Sequence, residues 1–142
     1  MNETQRLLSS LTEAAHMGAD SVSMLMKKTE DPAMREELRR IAARYERTET
    51  RAKEHLTETG GKAKGANPMA KMGACMGVQM DTATDRSTSH LADMLIQGVT
   101  MGIIDIQKEL AACGGADEES RRLAGEFLED ESREIEKLKG ML

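Results

Sequence analysis

The chain has 142 residues, one domain's length, long enough to bury roughly 68–70% of the surface its unfolded form exposes. Twenty Lys and Arg against 25 Asp and Glu give a formal charge of −5, which excludes a protein built chiefly to neutralise phosphates or coat an anionic membrane. Two cysteines, Cys75 and Cys113, exclude a disulfide framework, and Asp93, Gln97 and Asp105 interrupt the most apolar stretch, so no membrane span is expected.

Residues 3–28 read as a helix. Asn2 is its N-cap with Gln5 three residues on, and Leu7, Leu11, Ala14, Ala15, Gly18, Val22 and Leu25 recur at helical spacing. The opening Met-Asn-Glu-Thr-Gln-Arg carries no apolar signal region, which makes the cytoplasm the expected location. Asp31-Pro32, a cap followed by a first-turn proline, opens a second helix that stops at Gly60-Gly61. Its apolar stripe is Met34, Leu38, Ile41, Tyr45, Thr48, Ala52 and Leu56. The opposite face mixes Arg35, Arg39, Arg47 and Arg51 with Glu36, Glu46 and Glu54, the pattern of an ion-paired solvated surface and not of a nucleic-acid footprint.

Asn67-Pro68 repeats the cap-plus-proline start and predicts a short helix over 68–84, with Met69, Met72, Met76, Gln79, Met80 and Ala83 on one face. After a break in the polar stretch 81–89, with Ser87 or Thr88 as cap, the central helix spans 89–112. Leu91, Ala92, Leu95, Val99, Gly102, Ile103, Ile106 and Leu110 form its broad stripe, with Met94, Met101 and Ile104 across from it. Two faces therefore need cover. The reading gives the second face to the short Met-rich helix and a homodimer contact to another surface. Gly98 and Gly102, one turn apart, permit close backbone approach. Gly114-Gly115 ends the central helix, and Asp117 starts the last one, striped by Leu123, Ala124, Phe127, Glu131, Ile135, Leu138 and Leu142. No strand-like alternation occurs. The expected fold is a single all-α domain of four long helices plus a short one between the second and third long helices, about three quarters helical.

This layout, the Gly60-Gly61 stop, the inserted short helix and the segment Ser89-His90-Leu91-Ala92-Asp93-Met94-Leu95-Ile96-Gln97-Gly98 resemble the ferritin-like four-helix bundles, closest to small bacterial ones of no assigned activity. Di-iron members of that fold place a core carboxylate on each of two helices and a Glu-x-x-His on each of the other two. Matched position by position, the first helix offers Leu11, Ala14, Ala15 and Gly18, and the central helix Leu95, Val99, Gly102 and Ile106; none is a carboxylate. On the second helix Glu49 lies at the core edge and Ala52 stands where the histidine would be. On the last helix Glu131 faces inward, with Glu134 in place of histidine. Two carboxylates and both imidazoles are missing, so no di-iron centre and no cofactor are expected, and Glu49, Glu131 and Glu134 are the residual metal candidates.

A literal Glu-x-x-His at Glu13 to His16 falls about 150° from the first helix's stripe, facing solvent or a partner. His55 sits at the stripe's edge on the second helix. Met72, Cys75 and Met76, with His90 and Met94 on the central helix, form a soft-metal inventory suited to Cu(I), although methionines at this spacing more commonly fill a core or an interface. No phosphate-cradling loop, Cys-x-x-Cys or Ser/His/Asp setting is present, so no catalytic residue is expected. The function expected is a non-catalytic helical bundle with a structural or protein-interaction role; the alternative is a metal-handling bundle. Within either, Glu131 must find donors. The Tyr45 hydroxyl is the first choice and Thr48 the second, with Arg44 adding charge, and Glu131→Leu should be tolerated if the pocket is dry.

Overall fold

Each helix begins at a polar cap that satisfies amides its first turn leaves without an intrahelical acceptor. The computed structural model describes residues 1–61 and 85–142. Helix α1 (Glu3–Met26) starts at Asn2, whose side chain accepts from the Gln5 amide at 2.8 Å while the Gln5 side chain accepts from the Asn2 amide at 3.2 Å. Asp31 caps α2 (Pro32–Glu58), Ser87 caps α3 (Thr88–Ala112) and Asp117 caps α4 (Glu118–Lys139). These four helices hold 82% of the described residues, and no strand occurs among them. Residues 85–87 are non-helical, so α3 does begin after a break. The short helix expected over 68–84 lies outside the described residues.

Contacts at the helix ends fix the topology. At one end the Gln5 side chain donates to the Thr59 carbonyl (3.0 Å), the Gly115 amide to Glu3 (2.6 Å) and the Asp117 amide to Thr4 Oγ1 (2.8 Å). The start of α1, the end of α2, the end of α3 and the start of α4 therefore meet there. At the other end Thr88 Oγ1 donates to Asp31 Oδ2 at 2.6 Å, joining the starts of α2 and α3. So α1 runs antiparallel to α2 and to α3, while α2 and α3 run the same way. Gly61 and Asp85 consequently stand at opposite ends of a bundle about 40 Å long, from the rise of a helix the length of α2. Helix α1 packs along α2 and α3 along α4; the two pairs then face each other through α1 against α3 and α2 against α4.

The core is aliphatic. Leu7, Leu8, Leu11, Met34, Leu38, Ile41, Leu56, Leu91, Ile106 and Leu138 are all fully buried. Helix α1 buries more than its expected stripe, adding Leu8 and Thr12, because it has neighbours on two sides; Thr12 Oγ1 is satisfied by donating to the Leu8 carbonyl at 2.8 Å. Two expectations for α4 fail. The helix ends at Lys139, leaving Leu142 60% exposed, and Glu134 takes the buried place expected of Ile135, which is only half-buried. On the second face of α3, Met94 is half-buried, but Met101 is 66% and Ile104 45% exposed, so no described residue covers them. No helix among the described residues is long and apolar enough to cross a membrane.

One glycine is required by packing and another is not. A Cβ on Gly18 of α1 would lie 2.7 Å from Cε2 of the buried Tyr45 ring on α2, whereas one on Gly98 of α3 would meet nothing within 4 Å. Gly18→Ala should therefore destabilise the fold by about 1–3 kcal/mol through overpacking. Gly98→Ala should stabilise it by about 0.5–1 kcal/mol through helix propensity. Parallel urea titrations check the pair; midpoint shifts of the same sign would contradict the Tyr45 contact.

Candidate functional site

Helix α4 turns Phe127, Glu131 and Glu134 inward, and the two carboxylates are only 2% and 3% exposed. A charge so far from water must be paired or neutralised. Helix α2 supplies the partners from successive turns. Arg44 Nη2 pairs with Glu131 Oε1, and the Tyr45 hydroxyl donates to Glu131 Oε2 at 2.9 Å. Arg44 Nε lies 3.5 Å from Glu134 Oε1, Arg40 Nη2 donates to Glu134 Oε2 at 2.6 Å, and Arg40 also pairs with Glu37. The result is a chain of alternating charge, Glu131, Arg44, Glu134, Arg40 and Glu37, running from the interior to the surface. The Arg44 guanidinium stands 4.7 Å from the Tyr45 ring centroid, and that ring meets Phe127 at 6.3 Å with planes tilted by 38°.

Burial pushes the Glu131 carboxyl above its ordinary value, against the opposing pull of the Arg44 and Tyr45 hydrogen bonds. Burial, then the Glu131 charge, holds the Tyr45 phenol well above 10, so its proton stays on the bridge to Glu131. The hydrogen bonds of Arg40 to Glu37 and Glu134 raise its guanidinium further still. Arg44 Nε and Nη1 are buried without a hydrogen-bond acceptor among the described residues. Chemically this arrangement fixes charge: one Glu131 oxygen pairs with a guanidinium and the other accepts from a phenol.

Above it, between α1 and α3, lies a cleft of about 310 Å³ whose floor is Tyr45, Phe127 and Glu131. Met17 and Gly18 line one wall, and Met94, Gly98 and Met101 the other.

The expected site residues divide. Glu131 and Glu134 share Arg44, but Glu49 is engaged elsewhere, 3.0 Å from His16 Nδ1 and 2.7 Å from Lys53 Nζ. His16 does not simply face solvent or a partner, as its angle from the stripe implied. It is half-buried at the seam between α1 and α2, with Nε2 3.5 Å from Asp20, because α2 flanks α1 on that side. The donors to Glu131 are Tyr45 and Arg44; Thr48, one turn on, is half-buried. Met72, Cys75 and Met76 lie outside the described residues. His90 is half-buried in the first turn of α3, and Met94 lines the cleft. Cys113 is buried, which pushes its thiol up. Among the described residues no three His, Cys, Asp or Glu side chains are grouped to hold a metal ion. Sequence reading missed Arg40 and the central place of Arg44. The signal was present as Arg40 and Arg44 at i, i+4 on the core edge of one helix opposite Glu131 and Glu134 at i, i+3 on another.

A second ionic junction closes the end of the bundle. His55 Nε2 lies 2.8 Å from Asp117, the cap of α4, and Nδ1 lies 3.0 Å from Glu58. The Glu58 contact raises the imidazole most, burial opposes it, and the Asp117 contact adds to the rise, so the net shift is upward. No family model, curated protein or solved structure matches the chain.

Two predictions follow from these geometries. Glu131→Leu leaves the Arg44 charge buried beside Glu134 alone, so it should cost about 3–5 kcal/mol, contrary to the tolerance expected if the pocket is dry. The double variant Arg44→Met/Glu131→Leu should recover most of that loss, and a denaturant double-mutant cycle checks it. For His55 the folded pKa lies above the unfolded value of 6.5. The folded state thus holds the proton more tightly, and the junction's stability is full below about pH 6.5 and lost as pH rises through the folded value. The melting-temperature advantage of the wild type over His55→Gln should shrink on that rise; an advantage that grew with pH would refute it.

Proposed function

We propose that this chain is a ferritin-like bundle without a working metal centre, serving a non-catalytic structural or protein-interaction role. The observation that carries the reading is the Arg44–Glu131 pair: a guanidinium from the bundle itself supplies the positive charge that a carboxylate bundle would otherwise take from a metal ion. Connectivity supports the ferritin-like part. Helices α2 and α3 run the same way and are joined by one long connection between opposite ends of the bundle, while the other two connections are short, a pattern shared by folds with a single crossover. The interaction part draws on the exposed Met101 and Ile104 of α3, which a second copy of the chain would cover.

Metal content separates this reading from a metal-handling bundle. Protein purified from medium supplemented with iron, manganese and copper should carry far less than one ion per chain by elemental analysis. About one ion per chain, lost in Glu131→Gln, would establish a carboxylate centre instead; one lost in a His90→Ala/Met94→Leu variant would establish a soft-metal site. Sedimentation velocity at tens of micromolar, an order of magnitude typical of modest interfaces, should show a dimer; monomer alone would remove self-association from the proposal.

A further inference from the structure

Two glycines inside α3 face the cleft, and the described residues require neither. A Cβ on Gly98 would meet nothing within 4 Å, and one on Gly102 would meet only Glu131 Oε2, at 3.9 Å. Each mid-helix glycine weakens the helix relative to alanine, so α3 keeps this space open at a cost in stability. The cleft's volume of about 310 Å³ is that of a small-ligand pocket.

Its lining has a definite electrical character. Met17, Met94 and Met101 with the Tyr45 and Phe127 rings supply apolar surface, while Glu131 at the floor and Asp105 on α3 are carboxylates; among the described residues no Lys, Arg or His lines it. The charge chain beneath sets three glutamates against two arginines, with Lys137 also acting on Glu37 at its outer end. Glu131 Oε2 accepts the Tyr45 hydrogen bond, but a carboxylate oxygen has two lone pairs, and this atom borders the gap that Gly102 leaves. A neutral apolar guest would cover that acceptor without a donor, at a desolvation cost, and an anion would face two carboxylates. A primary ammonium satisfies both.

We propose that the cleft between α1 and α3 binds a small primary ammonium with an apolar body, its head donating to Glu131 Oε2 with Asp105 adding charge, and its body against Met17, Met94 and Met101. The thioethers' flexibility allows tails of differing shape.

The test is calorimetric titration of the full chain with n-octylammonium, 1-octanol and octanoate, all below their micellar range. One n-octylammonium should bind per chain, at least about tenfold more tightly than octanoate. Gly98→Leu fills the cleft without touching the charge network and should weaken octylammonium at least about tenfold. Glu131→Gln should weaken octylammonium selectively and leave octanol nearly unchanged; should that variant fail to fold, Asp105→Asn carries the charge arm. Equal affinity for octylammonium and octanoate overturns the proposal, as does binding indifferent to Gly98→Leu. So does absence of binding. In that last case a photo-crosslinker at position 98 that captured residues 62–84 or a second copy would identify what fills the cleft instead.

Discussion

Burying Glu131 constrains three helices at once. Its carboxylate needs a cation and a donor at one level of the bundle, and adjacent residues of α2, Arg44 and Tyr45, supply them. Tyr45 can stand there only because Gly18 of α1 has no side chain, so the register of α4 against α2 also sets the register of α1. A shift of one turn along α2 would put Ile41 or Thr48 where Tyr45 stands and break the phenol's bond to the carboxylate. An aliphatic core tolerates sliding more readily, since leucine packs against leucine in several registers. Ion pairs in a core add little net stability against well-packed apolar replacements, and their sharpest effect is on wrong pairings, where a lone buried charge costs several kcal/mol.

The helix ends do the same work along the other axis. Asp31 caps α2 through the Ala33 amide and accepts from Thr88 of α3; that hydroxyl first, and the amide second, hold its carboxyl below the ordinary range. Asp117 caps α4 and meets His55 of α2. Burial would raise its carboxyl, but the Ser120 and His55 contacts outweigh it and the net shift is downward. Each cap is thus also a tie between helices. With Thr4 and Glu3 reaching the amides of Asp117 and Gly115, all four helices are joined at one end of the bundle, and α2 to α3 at the other.

Helices and caps were legible in the sequence because they are local: a polar cap and a 3.6-residue period lie within one segment. The Tyr45 to Glu131 bond was legible too, since each is the odd polar group in an apolar stripe and there is one phenol in the chain. Arg44 was read as an added charge beside Glu131, but its link to Glu134 and the part of Arg40 were not legible. Arg40, Arg44 and Glu134 sit at stripe edges, where the helix's own pattern fits a solvated ion pair as well as a buried one, and the choice is made by what the neighbouring helix presents. The same ambiguity placed His16 outward until α2 supplied Glu49. Leu142 misled for another reason. Its spacing matches the stripe, but α4 stops at Lys139, short of it.

The two sides of Glu131 explain how one residue can be fixed and still recognise something. On the side of Oε1, the Arg44 pair is enclosed by Tyr45 and Glu134 and belongs to the fold. On the side of Oε2, Tyr45 orients the oxygen without exhausting it, and Gly102 gives it an opening instead of a wall. An acceptor held rigid by the core loses no conformational freedom when a donor arrives, which is the advantage of preorganisation. The methionines around it provide the opposite quality, a surface that adjusts. A bundle whose central carboxylate had been neutralised for stability alone would have closed the space above it with side chains at 98 and 102. This one closes the charge from below and leaves the cleft.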